Sequence, residues 1–292
     1  MANYADQINL NGNVGDIKGC GDDRYYPGVD LTVKFASEIA NYSDAWAWIK
    51  ARAQAGNFSK LHVGDYIPVT CTNRTKFNAR IAGINTYKNY GDTAVGNHID
   101  FISATVWPTT FKMNLANINN GLDADHQYPW LSSNGYHFLN SLAGDVPNGT
   151  GNLPATEHVD YTESGVYYFL PEALKNVIVE KRMYLPKRFS ASGLQTEDNA
   201  GGWENIGKLW LPSEVEVTGA PIWGCDKYGA MGSVQYPLFA NNMLRNIGRN
   251  YWWTLSATSG NATYFVSVTN GGNVNASNAS ADIRGPVCFR VS

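Results

Sequence analysis

The sequence predicts an α+β fold in which a twisted antiparallel sheet carries a few short helices and long loops. Three observations predict it. Side chains alternate over 264–269, with Tyr264, Val266 and Val268 opposed to Phe265, Ser267 and Thr269, and Asn270-Gly271-Gly272 then supplies residues that tolerate positive φ, so a hairpin follows. Glycine occurs 29 times, tryptophan nine times and tyrosine 17 times against only 16% charged residues, a composition unlike that of a helical cytosolic protein. Helical spacing is confined to short runs separated by polar, glycine-bearing stretches.

In chain order, residues 1–42 read as an N-terminal arm. Gly12, Gly15, Gly19 and Gly21 are too close together for a long element, and 29–35 is a short alternating run suited to an edge strand. Residues 43–292 then form one domain. Ser43 is the expected cap of a helix over 44–55, with Trp46, Ile49 and Ala53 at helical spacing and Gly56 as the stop. Strands follow around 66–70 and 77–84, with a third over 100–106. Ser132 or Ser133 caps a helix carrying Tyr136, Leu139 and Leu142, which Gly144 ends, and 145–154 is a surface loop. Leu170-Pro171-Glu172 starts another helix, with Leu174, Val177 and Ile178 as its buried stripe. The segment 179–189 returns to strand, 190–202 protrudes, and Leu238, Met243 and Ile247 allow one more short helix over 237–247. A final strand places Val287, Phe289 and Val291 on one face.

The net charge of −3 leaves no electrostatic footprint for nucleic acid or an anionic membrane. The opening MANYADQINLNGNVGD has neither a basic nor an apolar signal region, and no run of about eighteen apolar residues occurs, so neither a secretory signal nor membrane insertion is expected. Cys20, Cys71, Cys225 and Cys288 are far apart and none sits in a CxxC. They are read as small buried residues in a reducing compartment, with two disulfides as the alternative.

The order of motifs resembles a C-type-lectin-like domain family frequent in prophages and gut Firmicutes. The resemblance rests on Trp252, Trp253, Leu255 and Ser256, on Gly271 or Gly272, and on 283–287, where the glycine, arginine and proline stand in altered order. Gly64-Asp65, Ile84-Asn85, Trp130 with Leu139-Asn140, Leu211-Pro212-Ser213-Glu214 and Gln235 with Pro237 and Phe239 follow the same order, so the likeness spans roughly 43–291. It implies a lectin-like fold, a kinship with phage tropism determinants that display variable residues at the C-terminal end of the domain, and a distant one with formylglycine-generating enzymes.

Few residues point to catalysis. Glu214 and Glu216 are two apart on an expected strand edge and read as solvated carboxylates, with Glu214 available to backbone N–H groups. Asp123, Asp125 and His126 form a polar loop that departs from a calcium-binding loop at Tyr128 and Asn134, and Asp22-Asp23 reads as solvated. His62, His98, His137 and His158 show no metal-ligating spacing. The paired carboxyl and amide motif of calcium-dependent lectins is missing, Trp203-Glu204-Asn205 being the nearest stretch. Cys225 and Cys288 are too far apart for the formylglycine motif.

These readings give a non-enzymatic virion protein of a bacteriophage or prophage, tail-associated and homo-oligomeric, such as a trimer. It is made in the bacterial cytoplasm, released by lysis, and contacts other virion subunits and a host cell-surface carbohydrate or protein receptor without any cofactor or metal. The expected ligand-binding residues are Trp253, Thr258, Asn261, Asn270, Asn273, Asn275 and Asn278, since loops on a rigid scaffold concentrate recognition. One of Trp252 and Trp253 should be buried and the other free at the surface. The alternatives are a capsid-decoration or baseplate subunit that uses the fold for assembly, and an enzyme of the formylglycine type.

Overall fold

The computed structural model describes residues 7–10, 13–16, 27–123, 125–150, 155–188, 200–224 and 233–292. Strands β1 (Gln7–Leu10) and β2 (Asn13–Asp16) pair antiparallel. Asp30 then caps α1 (Leu31–Lys34), its carboxylate accepting from Thr32 N at 2.8 Å, and α2 (Ala36–Ile39) follows. Residues 31–34 are therefore helical rather than an edge strand, because the Asp30 cap opens a helical turn. Leu31 and Phe35 are buried in the main core, with the Phe35 ring 5.0 Å from that of Trp48, so the end of the segment read as an arm packs on the compact body. Gly28 has φ +75°, and a Cβ there would overlap the Gly64 carbonyl, so only glycine lets these two segments touch.

Helix α3 (Ala45–Gln54) starts from Asp44 rather than Ser43. The Asp44 carboxylate accepts from Trp46 N at 2.7 Å and Ala47 N at 2.9 Å, and at the positive end of a helix a charged acceptor is favoured over a hydroxyl. Strands β3 (Tyr66–Thr70), β4 (Lys76–Ile84) and β5 (Ile99–Ser103) form the expected antiparallel run, the third shorter than predicted and buried along its whole length. Ser133 caps α4 (Asn134–Asn140), which stops at Ser141 in the left-handed region, ahead of Leu142 and Gly144. A hairpin of β6 (Ala143–Pro147) and β7 (Thr156–Asp160) takes 145–147 out of the expected loop 145–154, because cross-strand pairing satisfies its backbone, and 151–154 lies outside the described residues.

Short helices α5 (Val166–Phe169) and α6 (Glu172–Lys175) lead to β8 (Ile178–Val179), with Pro171 as the N-cap of α6 rather than its first helical residue. Next, β9 (Arg182–Lys187) pairs with β10 (Ala200–Asn205), which takes 200–202 out of the expected protrusion, the rest of which lies outside the described residues. Helix α7 (Glu214–Thr218) replaces the expected strand edge. It has a capping box in which Ser213 Oγ accepts from Glu216 N and the Glu216 carboxylate accepts from Ser213 N, and Gly219 at φ +83° closes it. Two 3₁₀ turns, Pro237–Ala240 and Asn242–Arg245, stand where one helix was expected, and Met243 is 70% exposed rather than core-facing.

The chain closes with β11 (Trp252–Ala257), β12 (Tyr264–Val268), β13 (Val274–Asn278) and β14 (Cys288–Val291). The hairpin around Asn270 joins β12 to β13 in a three-stranded sheet ordered β11-β12-β13. Strand β14 instead enters a five-stranded sheet ordered β3-β4-β5-β14-β8, so the single C-terminal sheet expected from the sequence is two sheets. Ladders between all the named strands are antiparallel and the helices are short, which is an α+β architecture. Trp252 and Trp253 are both fully buried, against the expectation that one is exposed, because β11, unlike the outer strand β13, is covered on both faces. Trp252 stacks on Phe239 at 6.2 Å, and Trp253 Nε1 donates to the Phe111 carbonyl at 3.1 Å.

Candidate functional site

An open cleft of about 710 Å³ lies at the edge of the three-stranded sheet. Its walls include Trp223, Thr258, Asn261, Tyr264, Asn275 and Asn278. Thr258 and Asn261 come from the connection between β11 and β12, Tyr264 opens β12, and Asn275 and Asn278 lie on β13, the outer strand of the sheet. The Trp223 side chain is 46% exposed, which is unusual in a chain whose other large aromatics mostly fill the core. Among the described residues no charged side chain lines the cleft.

The walls are held from below by buried polar groups. Asn119 Nδ2 donates to the carbonyls of Asn261 at 2.8 Å, Thr258 at 3.4 Å and Tyr264. The Arg188 guanidinium, fully buried, donates to the carbonyls of Thr258 and of Asn261, the latter at 3.2 Å. Across the cleft, the Glu214 carboxylate accepts from Trp223 N at 2.9 Å and Gly224 N at 2.7 Å, while Ser259 N donates to the Trp223 carbonyl at 2.8 Å. Burial pushes the Glu214 carboxyl above its ordinary range, against the N–H groups of Gly224, Trp223 and Ile222, which favour the anion. Replacing Glu214 by alanine leaves two backbone donors unpaired and is expected to cost about 1–3 kcal/mol for each. The checks are thermal unfolding and a change in tryptophan fluorescence as Trp223 loses its anchor.

A second polar group lies in the core. Lys181 Nζ donates to the Glu216 carboxylate and, at 3.1 Å, to Tyr236 Oη, and it sits 4.1 Å from the centre of the Tyr87 ring. Tyr87 Oη donates to Glu216 Oε1 at 2.6 Å, and Tyr236 Oη donates to Asp100 Oδ2 at 3.2 Å. Arg290 completes the set through paired hydrogen bonds to Asp100 at 2.7 and 2.8 Å. Burial lowers the Lys181 pKa against the attraction of Glu216 and Asp100. The Asp100 carboxyl, which burial alone pushes up, is held down to about 2 by Arg290, His98 and Lys181. These four charges are at most 3% exposed and each has an opposite partner, so their role here is to join α7, β5, β14 and the segment before β9.

The structure gathers Thr258, Asn261, Asn275 and Asn278 at one cleft, although Asn275 and Asn278 stand on a strand and not in the loop expected for them. Asn270 and Asn273 lie at the hairpin turn and do not line the cleft, although Asn273 is only two residues, about 7 Å, from Asn275. Trp253 is in the core and cannot contact a ligand. Glu214 and Glu216 are not solvated and do not act as a pair: Glu216 is turned into the core network and Glu214 to the backbone at 223–224, as its reading as an N–H acceptor anticipated. The Ser213-to-Glu216 spacing carried the capping-box signal for this helix. Trp223, Asn119 and Arg188 had no such signal, since their partners are distant in sequence.

Asp123 is an exposed turn residue whose carboxylate accepts from Asp125 N and His126 N, both at 2.8 Å. Cys71 and Cys288 are free and buried, and burial pushes the Cys288 thiol well above its ordinary pKa, away from the reactive thiolate. Cys20, Cys225 and Asp22-Asp23 lie outside the described residues. No helix among the described residues is long and apolar enough to cross a membrane. Compared with protein-family models, curated proteins and solved structures, the chain matches none.

Proposed function

We propose that this chain is a receptor-binding protein of a bacteriophage or prophage particle, tail-associated, with a C-type-lectin-like fold whose cleft beside β13 contacts the host surface. The observation that carries this reading is the meeting of exposed Trp223 and half-buried Tyr264 with Thr258, Asn261, Asn275 and Asn278 around one concave surface. Exposed aromatic side chains concentrate binding energy, and amides around them supply directional hydrogen bonds. The buried supports from Asn119, Arg188 and Glu214 hold these walls in place, which limits the ordering cost of binding.

Replacing Asn275 and Asn278 together by alanine is expected to reduce adsorption of the particle to its host by about tenfold or more. Stability should change by only about half a kcal/mol per site, as is usual at exposed or half-exposed positions. Replacing Asn270 and Asn273, in the hairpin turn and outside the cleft lining, is the control and should leave adsorption unchanged. Equal adsorption by both pairs of variants, on correctly assembled particles, would remove the cleft from host recognition.

A second reading, a capsid-decoration or baseplate subunit, is favoured by Val33 and Met243, which are 75% and 70% exposed and do not line the cleft. Apolar side chains in the open suit contacts between subunits. Antibody labelling of whole particles separates the readings, since a receptor binder should be found at the tail tip and a decoration protein on the head.

A further inference from the structure

We propose that the cleft takes an uncharged glycan, one pyranose ring resting against Trp223 or Tyr264 and its hydroxyls meeting the amides of Asn261, Asn275 and Asn278, with no metal ion between them. This rests on the reading of the cleft as the recognition surface and names its ligand class.

Shape narrows the choice first. A concave space of about 710 Å³ falls in the range of roughly 300–1,000 Å³ typical of small-ligand sites, whereas protein partners are met by broader, flatter patches. A glycan of a few residues fits such a space.

The hydrogen-bonding groups narrow it further. Asn261 Oδ1 is occupied by Thr263 N at 2.7 Å and Thr263 Oγ1 at 2.6 Å, and Asn275 Oδ1 by Ala276 N at 2.9 Å. Each of these amides thus turns a bound oxygen to its own backbone and keeps its NH₂ donors for a ligand, among the described residues. Fixed amide donors beside an aromatic face suit ring hydroxyls, which both accept and donate. The backbone carbonyls of Thr258 and Asn261 are already taken by Arg188 and Asn119, so the floor presents donors more than acceptors.

The charges among the described residues favour a neutral ligand. An anionic sugar needs a cation at the surface, whereas Arg188, the arginine tied to these walls, is fully buried with its NH1 and NH2 on those carbonyls, and no cation lines the cleft among the described residues. A calcium-bridged sugar needs carboxylate oxygens at the ion, and no carboxylate lines the cleft among the described residues. Glu214, whose oxygens accept from the backbone N–H groups of Trp223 and Gly224, is itself buried.

The test retains the full-length protein on immobilised polysaccharides, neutral (dextran, mannan, galactan) and anionic (polygalacturonate, hyaluronate, heparin), and in parallel on the bacteria that the particle infects, with and without periodate or protease treatment. Retention on at least one neutral polysaccharide is expected, within twofold in EDTA and in 0.5 M NaCl as order-of-magnitude bounds for a contact without ions. Trp223→Ala and Asn278→Ala should each weaken it by about tenfold, the scale of one lost anchoring contact. Two variants on different elements guard against misfolding of either, and both should keep the parent's circular dichroism. Binding to bacteria should fall with periodate and survive protease. Retention only on anionic polysaccharides, a sharp loss in EDTA restored by Ca²⁺, or adsorption that still depends on Trp223 but is destroyed by protease and spared by periodate would overturn the glycan assignment while leaving the cleft as the recognition surface. Adsorption to bacteria that is indifferent to both variants would overturn the cleft itself, and the glycan with it.

Discussion

Replacing Lys181 by methionine is expected to destabilise the protein by about 3–5 kcal/mol, the cost of leaving a buried partner charge uncompensated. Glu216 is fully buried, and without Lys181 it keeps only neutral donors, Tyr87 Oη and Ser213 N. The same change removes a hydrogen bond to Tyr236 and the contact with the Tyr87 ring. Urea unfolding should show the loss as a lower midpoint at unchanged slope. Adding Glu216→Gln to the same chain should recover a large part of it, since glutamine still accepts from Ser213 N and carries no charge. A double variant no more stable than the single one would show that Lys181 contributes by packing alone.

The same network sets an acid limit. Asp100 falls from its usual 3.8 to about 2 in the folded protein, so its contribution, on the order of 2 kcal/mol, is complete above the unfolded value and is lost as the pH falls from about 4 to about 2. Glu214 works with the opposite sign. Its pKa is raised, so its contribution is complete below the unfolded value and disappears as the pH rises through the folded one. A stability profile falling steeply below pH 4, and flattened in Asp100→Asn, is the expected result.

A chain ending at Asn250 is expected to lose its native core altogether. It would lack β14, which lies between β5 and β8, and would split the five-stranded sheet at an interior position. It would also lack Trp252, Trp253, Phe265, Val266, Val268, Val287, Phe289 and Val291, all fully buried. At roughly 1.5–3 kcal/mol for each such side chain, their loss matches or exceeds the about 5–15 kcal/mol that stabilises a typical domain. Arg290 leaves with them, and Asp100 remains as a buried anion without its paired partner. Near-ultraviolet circular dichroism reads the outcome, and a native-like spectrum from the shortened chain would show that the C-terminal strands form a separable unit.

What the sequence determined by itself was local. The α+β class, the first three strands of the large sheet, the helix from Ala45, the Ser133 cap and the hairpin at Asn270 all follow from periodicity and turn chemistry within a few residues. Even the helix at Glu214 was written in its capping spacing, although the segment was read as a strand edge. The tertiary structure decided which surfaces meet. Only the entry of β14 beside β5 brings Arg290 onto Asp100, 190 positions apart in the chain, and only the covering of β11 on both faces buries Trp253. The cleft has the same origin: Trp223 faces Asn275 and Asn278 because Glu214 and Ser259 fix the backbone around 223, and Asn119 fixes the turn at 258–264 from across the molecule. Hydrogen bonds between distant segments leave no periodic trace in a sequence, since each partner alone has the same residue type as any solvated polar side chain.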